Sequence, residues 1–147
     1  LLCLPTDRAA YGRLSRLISL GQSRAEKGQC LLRLDDVAAH AEGNIFIAVP
    51  PDTIGDGFEA QLQRIASALA EAKLYLAASH GFRGDDRARM GKLATLARAC
   101  GTPLVATNAV LYHAPHRRPL QDVLTCVREH TTINEAGYRL AANAERH

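Results

Sequence analysis

The stretch NIFIAV, residues 44–49, is the first of three short apolar runs in this 147-residue chain. The second is KLYLAA, residues 73–78, and the third is PLVAT, residues 103–107, so the runs begin about thirty residues apart. This spacing leaves room for one helix between successive strands, as in βαβ units. Because the runs are unbroken rather than alternating, they predict parallel strands that are covered on both faces. The strand residues expected to be buried are Ile45, Ile47, Leu74, Leu76, Leu104 and Val105.

The two segments between these runs have the periodicity of amphipathic helices. Segment 85–101 also begins with acidic residues and ends with Gly101, which are start and stop signals of a helix. The alternation of strands and helices predicts an α/β fold, either a sheet or part of an α/β barrel. The inward stripes are expected to be Phe58, Leu62, Ile65 and Leu69 in segment 58–72, and Met90, Leu93, Leu96 and Cys100 in segment 85–101.

Similar patterns flank the three runs and predict the element order β-α-α-β-α-β-α-β-α-α. LLCLP, residues 1–5, is interpreted as a buried strand that is parallel to the others, and segments 6–21 and 34–43 as helices. Segment 118–130 has Pro119 in its first turn, where proline is favoured in a helix. The inward residues expected in segment 6–21 are Tyr11, Leu14, Leu17 and Ile18, and the apolar face of segment 118–130 consists of Leu120, Val123, Leu124 and Val127.

Composition places the chain among ordinary globular proteins. Hydrophobic residues make up 47% and charged residues 22%, and no apolar run has the length of a membrane span. The net charge of +3 permits a nucleic acid nearby but does not argue for one. The four cysteines are scattered without a zinc-ligand spacing, so we expect buried, reduced thiols and a cytoplasmic location.

Polar residues follow the second and third apolar runs, and the ends of neighbouring parallel strands meet at one rim. A hydrolase would use Ser79 as nucleophile, His80 or His113 as base, and Asp85 or Asp86 as the orienting acid. No nucleophile elbow surrounds Ser79, and adjacent Ser and His project in different directions from an extended chain. Loop residues that satisfy local backbone groups are the alternative interpretation.

A metal site at the same rim would use His80, His113 and His116 with nearby carboxylates. Pro115 lies between the last two histidines and disfavours a helix there, so their spacing need not place both on one face. The basic segment 116–118 could contact phosphate or be a solvated face. Neither of the glycine-rich phosphate-loop motifs occurs in the sequence.

Residues 103–147 closely resemble the end of the PHP (polymerase and histidinol phosphatase) domain of bacterial C-family DNA polymerases. The most specific part of this resemblance is RRPLQDVLTCVREHTTINEAG, residues 117–137. The segment LPTDRAAYGRLSRLISLGQSRAEKGQC, residues 4–30, is similar to one branch, the error-prone DNA polymerases of damage-induced mutagenesis. The resemblance covers essentially all 147 residues and implies that they form the C-terminal part of a PHP domain, a distorted seven-stranded α/β barrel, cut from a larger multidomain polymerase.

The resemblance also implies that the metal site of the PHP domain is degenerate in this chain. Where members with an intact site have Thr-Asn-Asp-x-His-Tyr, this sequence has Ala109 and Leu111 in place of the two metal ligands. Two further ligands align more loosely with Gln22 and with Pro50 or Pro51. The residual candidates at the rim are Asn108, His113 and His80. We therefore expect no catalytic residue, cofactor or metal in this chain, and the remaining ligands would precede Leu1.

For the parent protein, the resemblance implies template-directed DNA synthesis in the cytoplasm during damage-induced mutagenesis and DNA repair. DNA, deoxynucleotides and Mg²⁺ at palm aspartates that follow this region would belong to that reaction. The sliding clamp and other mutagenesis proteins are implied as partners.

Two other functions remain open from the residues. One is an active, metal-dependent PHP phosphoesterase or 3′–5′ exonuclease, which Ala109 and Leu111 oppose. The other is a protein-interaction module, which is compatible with a structural role. If the first strands of the barrel precede Leu1, the sheet edge near Leu1 to Leu4 is open, and we expect the chain to associate with itself there.

Overall fold

The computed structural model describes residues 1–82, 84–108 and 110–147, which form two compact units. The first unit contains residues 1–78 and 90–105, and the second contains residues 79–89 and 106–147. The predicted order of elements is confirmed. The strands are β1 Leu2–Pro5, β2 Asn44–Ala48, β3 Lys73–Ala78 and β4 Leu104–Ala106, and the helices are α1 Arg8–Ser23, α2 Leu34–Ala39, α3 Asp56–Ala68, α4 Asp86–Ala99, α5 Arg118–Arg128 and α6 Ile133–Ala136.

Within the described residues, four strands form one open sheet in the order β1-β2-β3-β4. Strands β2 and β3 are parallel, with Ile47 opposite Tyr75. Strand β1 is antiparallel to β2, with Leu2 opposite Ile47. The fold is therefore α/β with a mixed sheet, and the prediction that all strands are parallel is wrong for β1.

The connection between β1 and β2 explains the direction of β1. A single crossover helix returns the chain to the opposite end of the sheet and produces a parallel pair. Here two helices, α1 and α2, separate the strands, and β2 begins beside the end of β1, where Pro5 is opposite Asn44. The Thr6 N–H and hydroxyl both donate to the Gly43 carbonyl, at 3.1 and 2.7 Å, and hold the two strand ends together.

One face of the sheet is covered by α3 and α4, as their apolar periodicity predicts. Leu62 of α3 and Leu93 and Leu96 of α4 pack with Ala48 and Leu76 in the main core cluster. A second cluster joins Phe46, Leu69 and Ala41. The other predicted stripe residues, Phe58, Ile65, Met90 and Cys100, are partly buried against these clusters.

The strands are not covered on both faces, which corrects the prediction from their apolar runs. Side chains alternate along a strand, so Leu2 and Leu4 point away from the face that contains Phe46. Both leucines are 49% exposed, and Ile45 and Ile47 opposite them are only partly buried. This uncovered face is apolar because its neighbouring side chains are leucines and isoleucines.

Leu104 was also expected to be buried, and it is 40% exposed. It lies on β4, which is an edge strand of the sheet and only three residues long. A neighbouring strand is present on one side only, so less of the Leu104 side chain is removed from water. Of the six predicted strand residues, one is fully buried, one is exposed and four are partly buried: Leu76, then Leu104, then Ile45, Ile47, Leu74 and Val105.

The buried stripe of α1 differs from the predicted one. Leu17 is buried, as predicted, but Tyr11 and Ile18 are exposed, and the other buried residues are Ala10 and Gly21. Small side chains allow a helix backbone to approach its neighbours closely, and here they define the contact in place of the largest apolar groups. Asp7 caps this helix by accepting a hydrogen bond from the Ala10 N–H at 2.7 Å.

The four cysteines are free thiols, as predicted, but they are not all buried. Cys126 is buried, Cys3 and Cys100 are partly buried, and Cys30 is exposed. Burial raises the pKa of the Cys3 and Cys100 thiols, and the Glu59 carboxylate adds to the effect at Cys100. No helix in the described ranges has the length and apolar character needed to cross a membrane.

Candidate functional site

The candidate site lies in the second unit, where residues 79–82 follow β3. The His80 imidazole is exposed, and its Nδ1 lies 3.9 Å from Oδ2 of Asp86. Asp86 is buried at the start of α4, and its Oδ1 accepts a hydrogen bond from the Gly81 N–H at 2.6 Å. The ring of His80 makes an edge contact with Phe82, at 4.5 Å between centroids. Asp86 therefore anchors the turn that presents His80 to solvent.

Asn143, which the sequence did not indicate, also holds this turn. Its side-chain amide donates to the carbonyl of Gly81 at 2.8 Å and to that of Phe82 at 3.4 Å. The buried Tyr112 hydroxyl donates in turn to the Asn143 carbonyl at 3.4 Å. Phe82 has a φ of 52°, a left-handed conformation uncommon for a bulky residue, so these bonds stabilise an otherwise costly backbone. No sequence pattern marks Asn143 because its partners are backbone carbonyls.

The residues that follow β4 are tied to the last residues of the chain. The Asn108 side-chain amide donates to the carbonyl of His147, and the Leu111 N–H donates to that of Arg146 at 2.8 Å. The Leu111 side chain is half-exposed and offers no ligand atom. Ala109 lies outside the described residues.

The histidines of residues 113–116 lie side by side. His113 and His116 are both exposed, and their rings are nearly perpendicular with centroids 6.2 Å apart. Pro115 begins a short 3₁₀ helix, Pro115–Arg117, and this turn rather than an α-helix brings the rings together. Two imidazoles without a carboxylate partner form an incomplete donor set for zinc.

The metal centre implied by the resemblance does not fit the donors present. In the part of the chain that the structure describes, no group of three or more His, Cys, Asp or Glu side chains could hold a metal ion. Gln22 is exposed in the last turn of α1, and Pro51 is exposed in the loop after β2. Leu111 is aliphatic, and the amide of Asn108 is already bonded to backbone. A centre that holds several metal ions needs more donors than these residues supply.

The hydrolase arrangement lacks an activated nucleophile. The structure brings His80 near Asp86, but within the described ranges the Ser79 hydroxyl makes no hydrogen bond to either side chain. Asp85 is exposed. A base must lie within hydrogen-bond reach of a nucleophile to activate it. Among the described residues, His80 and Asp86 therefore form no triad with Ser79.

Comparisons with known proteins relate the whole chain to one kind of protein. It is 54% identical to an error-prone DNA polymerase of Caulobacter vibrioides over 147 residues, which is 100% of this chain and 14% of that protein. This chain is similar to a segment of error-prone DNA polymerases. An error-prone DNA polymerase of Rhodopseudomonas palustris is 48% identical over 99% of this chain, and error-prone DNA polymerase 1 of Agrobacterium fabrum is 45% identical over 99%.

The chain spans only 13–14% of the length of these curated relatives. A scan against protein-family models found no match. The similarity therefore relates the chain to a small part of each polymerase, and most of each relative lies outside the aligned segment.

Proposed function

We propose that this chain is a non-catalytic, structural part of the PHP domain of an error-prone DNA polymerase. The observation that carries the proposal is the 54% identity to the Caulobacter vibrioides enzyme over all of this chain. Leu111 supports the absence of catalysis, because it occupies the position where the PHP motif has a histidine ligand. The hydrogen bonds of Asn108 and Asn143 to backbone carbonyls support a structural role for the rim.

The open sheet is consistent with part of a barrel. A closed barrel covers the inner face of its sheet with side chains from the remaining strands. In this chain the face that contains Leu2, Leu4, Ile45 and Ile47 is apolar and incompletely covered. We infer that residues 1–147 are the C-terminal part of the domain and that other strands of the full-length protein cover this face.

In the full-length protein we infer template-directed nucleotidyl transfer, with DNA and deoxynucleotides as substrates and Mg²⁺ at palm aspartates outside residues 1–147. The reaction would take place in the cytoplasm during damage-induced mutagenesis and repair. The sliding clamp and other mutagenesis proteins are the proposed partners. Residues 1–147 would contribute rigidity and no reacting group.

Primer extension and 3′-end degradation by the full-length enzyme test this proposal. We expect extension of a labelled primer, and we expect His113→Ala to leave both activities within about twofold of wild type, because His113 is exposed and its ring contacts that of His116. His116→Ala is the matched control on the other ring. If His113→Ala abolished a measurable exonuclease while extension persisted, the phosphoesterase alternative would replace the structural role. A full-length protein that does not extend primers would refute the polymerase assignment.

Metal content is a second test of the degenerate site. Protein purified without chelator is expected to contain far less than one equivalent of zinc or manganese at residues 107–113, because Leu111 and Ala109 offer no ligand atoms. Elemental analysis measures this directly. A full equivalent that is retained by wild type and lost in His113→Ala would show that the rim holds a metal after all.

The edge strand β1 leads to a prediction about the 147-residue chain. Its outer backbone groups have no neighbouring strand in the described sheet, and Leu2 and Leu4 are each 49% exposed, so we infer that copies associate there. Light scattering should show a mass that rises with concentration, and Leu4→Lys should restore a monomer. Tyr11→Lys, on the exposed face of α1, is the matched control and should not. A wild-type monomer at high concentration would contradict this prediction.

A further inference from the structure

Helix α5 has an apolar face that is exposed along its whole length. Its side chains recur at the i, i+3, i+4 and i+7 spacing of one helical stripe. A stripe of this kind normally packs against another element, since large contiguous apolar patches are rare on the surface of soluble monomers. The stripe consists of Leu120, Val123, Leu124 and Val127, which are 47–67% exposed.

The opposite side of α5 is already occupied within the second unit. Thr125 and Cys126 are buried. The Arg118 guanidinium donates to the Ala141 carbonyl at 2.7 Å and lies 3.4 Å from the Asp122 carboxylate. These contacts orient the helix so that the stripe points to solvent. The exposure of the stripe is therefore a consequence of how α5 is anchored and does not reflect a loose helix.

Arginines lie along one flank of the stripe. At 100° per residue, Arg117 and Arg128 both fall beside Leu124, one at each end of α5. Arg117 makes no ion pair with any described residue. Arg128 pairs with its neighbour Glu129 at 3.1 Å, and 70% of its side chain is exposed. The other flank, which contains Pro119, has no charged residue of α5.

A second copy of α5 does not match this flank. Antiparallel docking of two stripes would place Arg117 of one copy beside Arg128 of the other, and like charges at an interface are unfavourable. Parallel docking would leave both arginines facing an uncharged flank. The charges instead match a helix that carries an apolar stripe with Asp or Glu along one side.

We propose that the α5 stripe is covered, in the full-length polymerase, by an acidic amphipathic helix from another part of the same polypeptide. This inference rests on the proposed function, since the relatives have most of their sequence outside the segment aligned with this chain. Apolar side chains of that helix contact the stripe, and its carboxylates pair with Arg117 and Arg128. Burial of the stripe fixes the contact, and the two ion pairs fix the direction of the docked helix.

Cysteine labelling tests the proposal. In a Cys30→Ser background, which removes the exposed native thiol, Val123→Cys is treated with a maleimide in the dilute 147-residue chain and in the full-length enzyme. We expect labelling at least tenfold slower in the full-length enzyme. Arg117→Glu with Arg128→Glu should restore most of the rate, whereas the matched change of both arginines to lysine should not. Circular dichroism of each variant confirms that it is folded.

Each other result would overturn the inference. Equal labelling rates in the two proteins would show that the stripe is uncovered, and protection insensitive to charge reversal would show that the partner is not acidic. Protection that disappears on dilution of the full-length enzyme would indicate a second molecule. Primer extension is measured on the same preparations, so a protected stripe in a protein without polymerase activity would refute the proposed function separately.

Discussion

Phe46→Ala is expected to destabilise the chain by about 3–5 kcal/mol, the loss typical of a buried aromatic residue in a core. Phe46 is fully buried at the centre of β2 and packs with Ala41 and Leu69. Removal of its ring leaves a cavity between the sheet and α3 that the surrounding structure closes only in part. Urea unfolding monitored by circular dichroism would measure the change in the free energy of unfolding.

Leu104→Ala is the matched control for this prediction. Its apolar sequence context predicts a buried strand residue, but the side chain is 40% exposed on the edge strand β4. We expect a loss of about 1 kcal/mol or less, because much of its surface is already in water. Equal losses for Phe46→Ala and Leu104→Ala would contradict the placement of the core on the α3 and α4 side of the sheet.

Gly21→Ala is expected to destabilise the chain by about 1–3 kcal/mol, as overpacking of a tight site does. Gly21 is buried near the end of α1, and an added Cβ would lie 2.5 Å from Sγ of Cys30 and 2.8 Å from Cγ of Leu32. The backbone is held at the same place, because the Gly21 carbonyl accepts a hydrogen bond from the Leu31 N–H at 2.9 Å. The segment cannot move away without loss of that bond.

Gly12→Ala, in the same helix, should change the free energy of unfolding in the opposite direction. Its Cβ would lie 3.9 Å from Nη2 of the Arg16 guanidinium, which is an ordinary van der Waals contact. Alanine is favoured over glycine in a helix interior by about 0.5–1 kcal/mol, so the variant should be more stable by that amount. Thermal and urea unfolding of both variants would measure the difference. A stabilised Gly21→Ala variant would show that residues 30–32 do not pack against α1 as described.

Local sequence patterns predict the types and order of the elements correctly. The spacing of the apolar runs identifies β2, β3 and β4, and the periodicity of segments 58–72 and 85–101 identifies the inward residues of α3 and α4. These two helices lie against the sheet, so their most apolar side is also their buried side. The pattern and the packing agree because both arise from the same removal of apolar groups from water.

The patterns fail where apolar residues remain largely exposed in the described part of the chain. The stripe of α5 and the leucines of β1 are as apolar as core residues, yet they are exposed. Periodicity indicates that a face is apolar, but it does not indicate which element covers that face. In α1, Ala10 and Gly21 are buried together with Leu17, because their small size permits close approach although their apolar surface is small.

At the candidate site, the prediction that metal ligands are lost depends on residue type alone, because Leu111 and Ala109 lack donor atoms in any fold. The contacts around His80 depend on residues far apart in the chain. Asn143 and Gly81 are 62 positions apart, and Thr6 and Gly43, which bond where the ends of β1 and β2 meet, are 37 positions apart. Element type follows from neighbouring residues because backbone and side-chain preferences are local. Strand direction, exposed faces and the geometry of the rim follow from long-range contacts, which no local pattern contains.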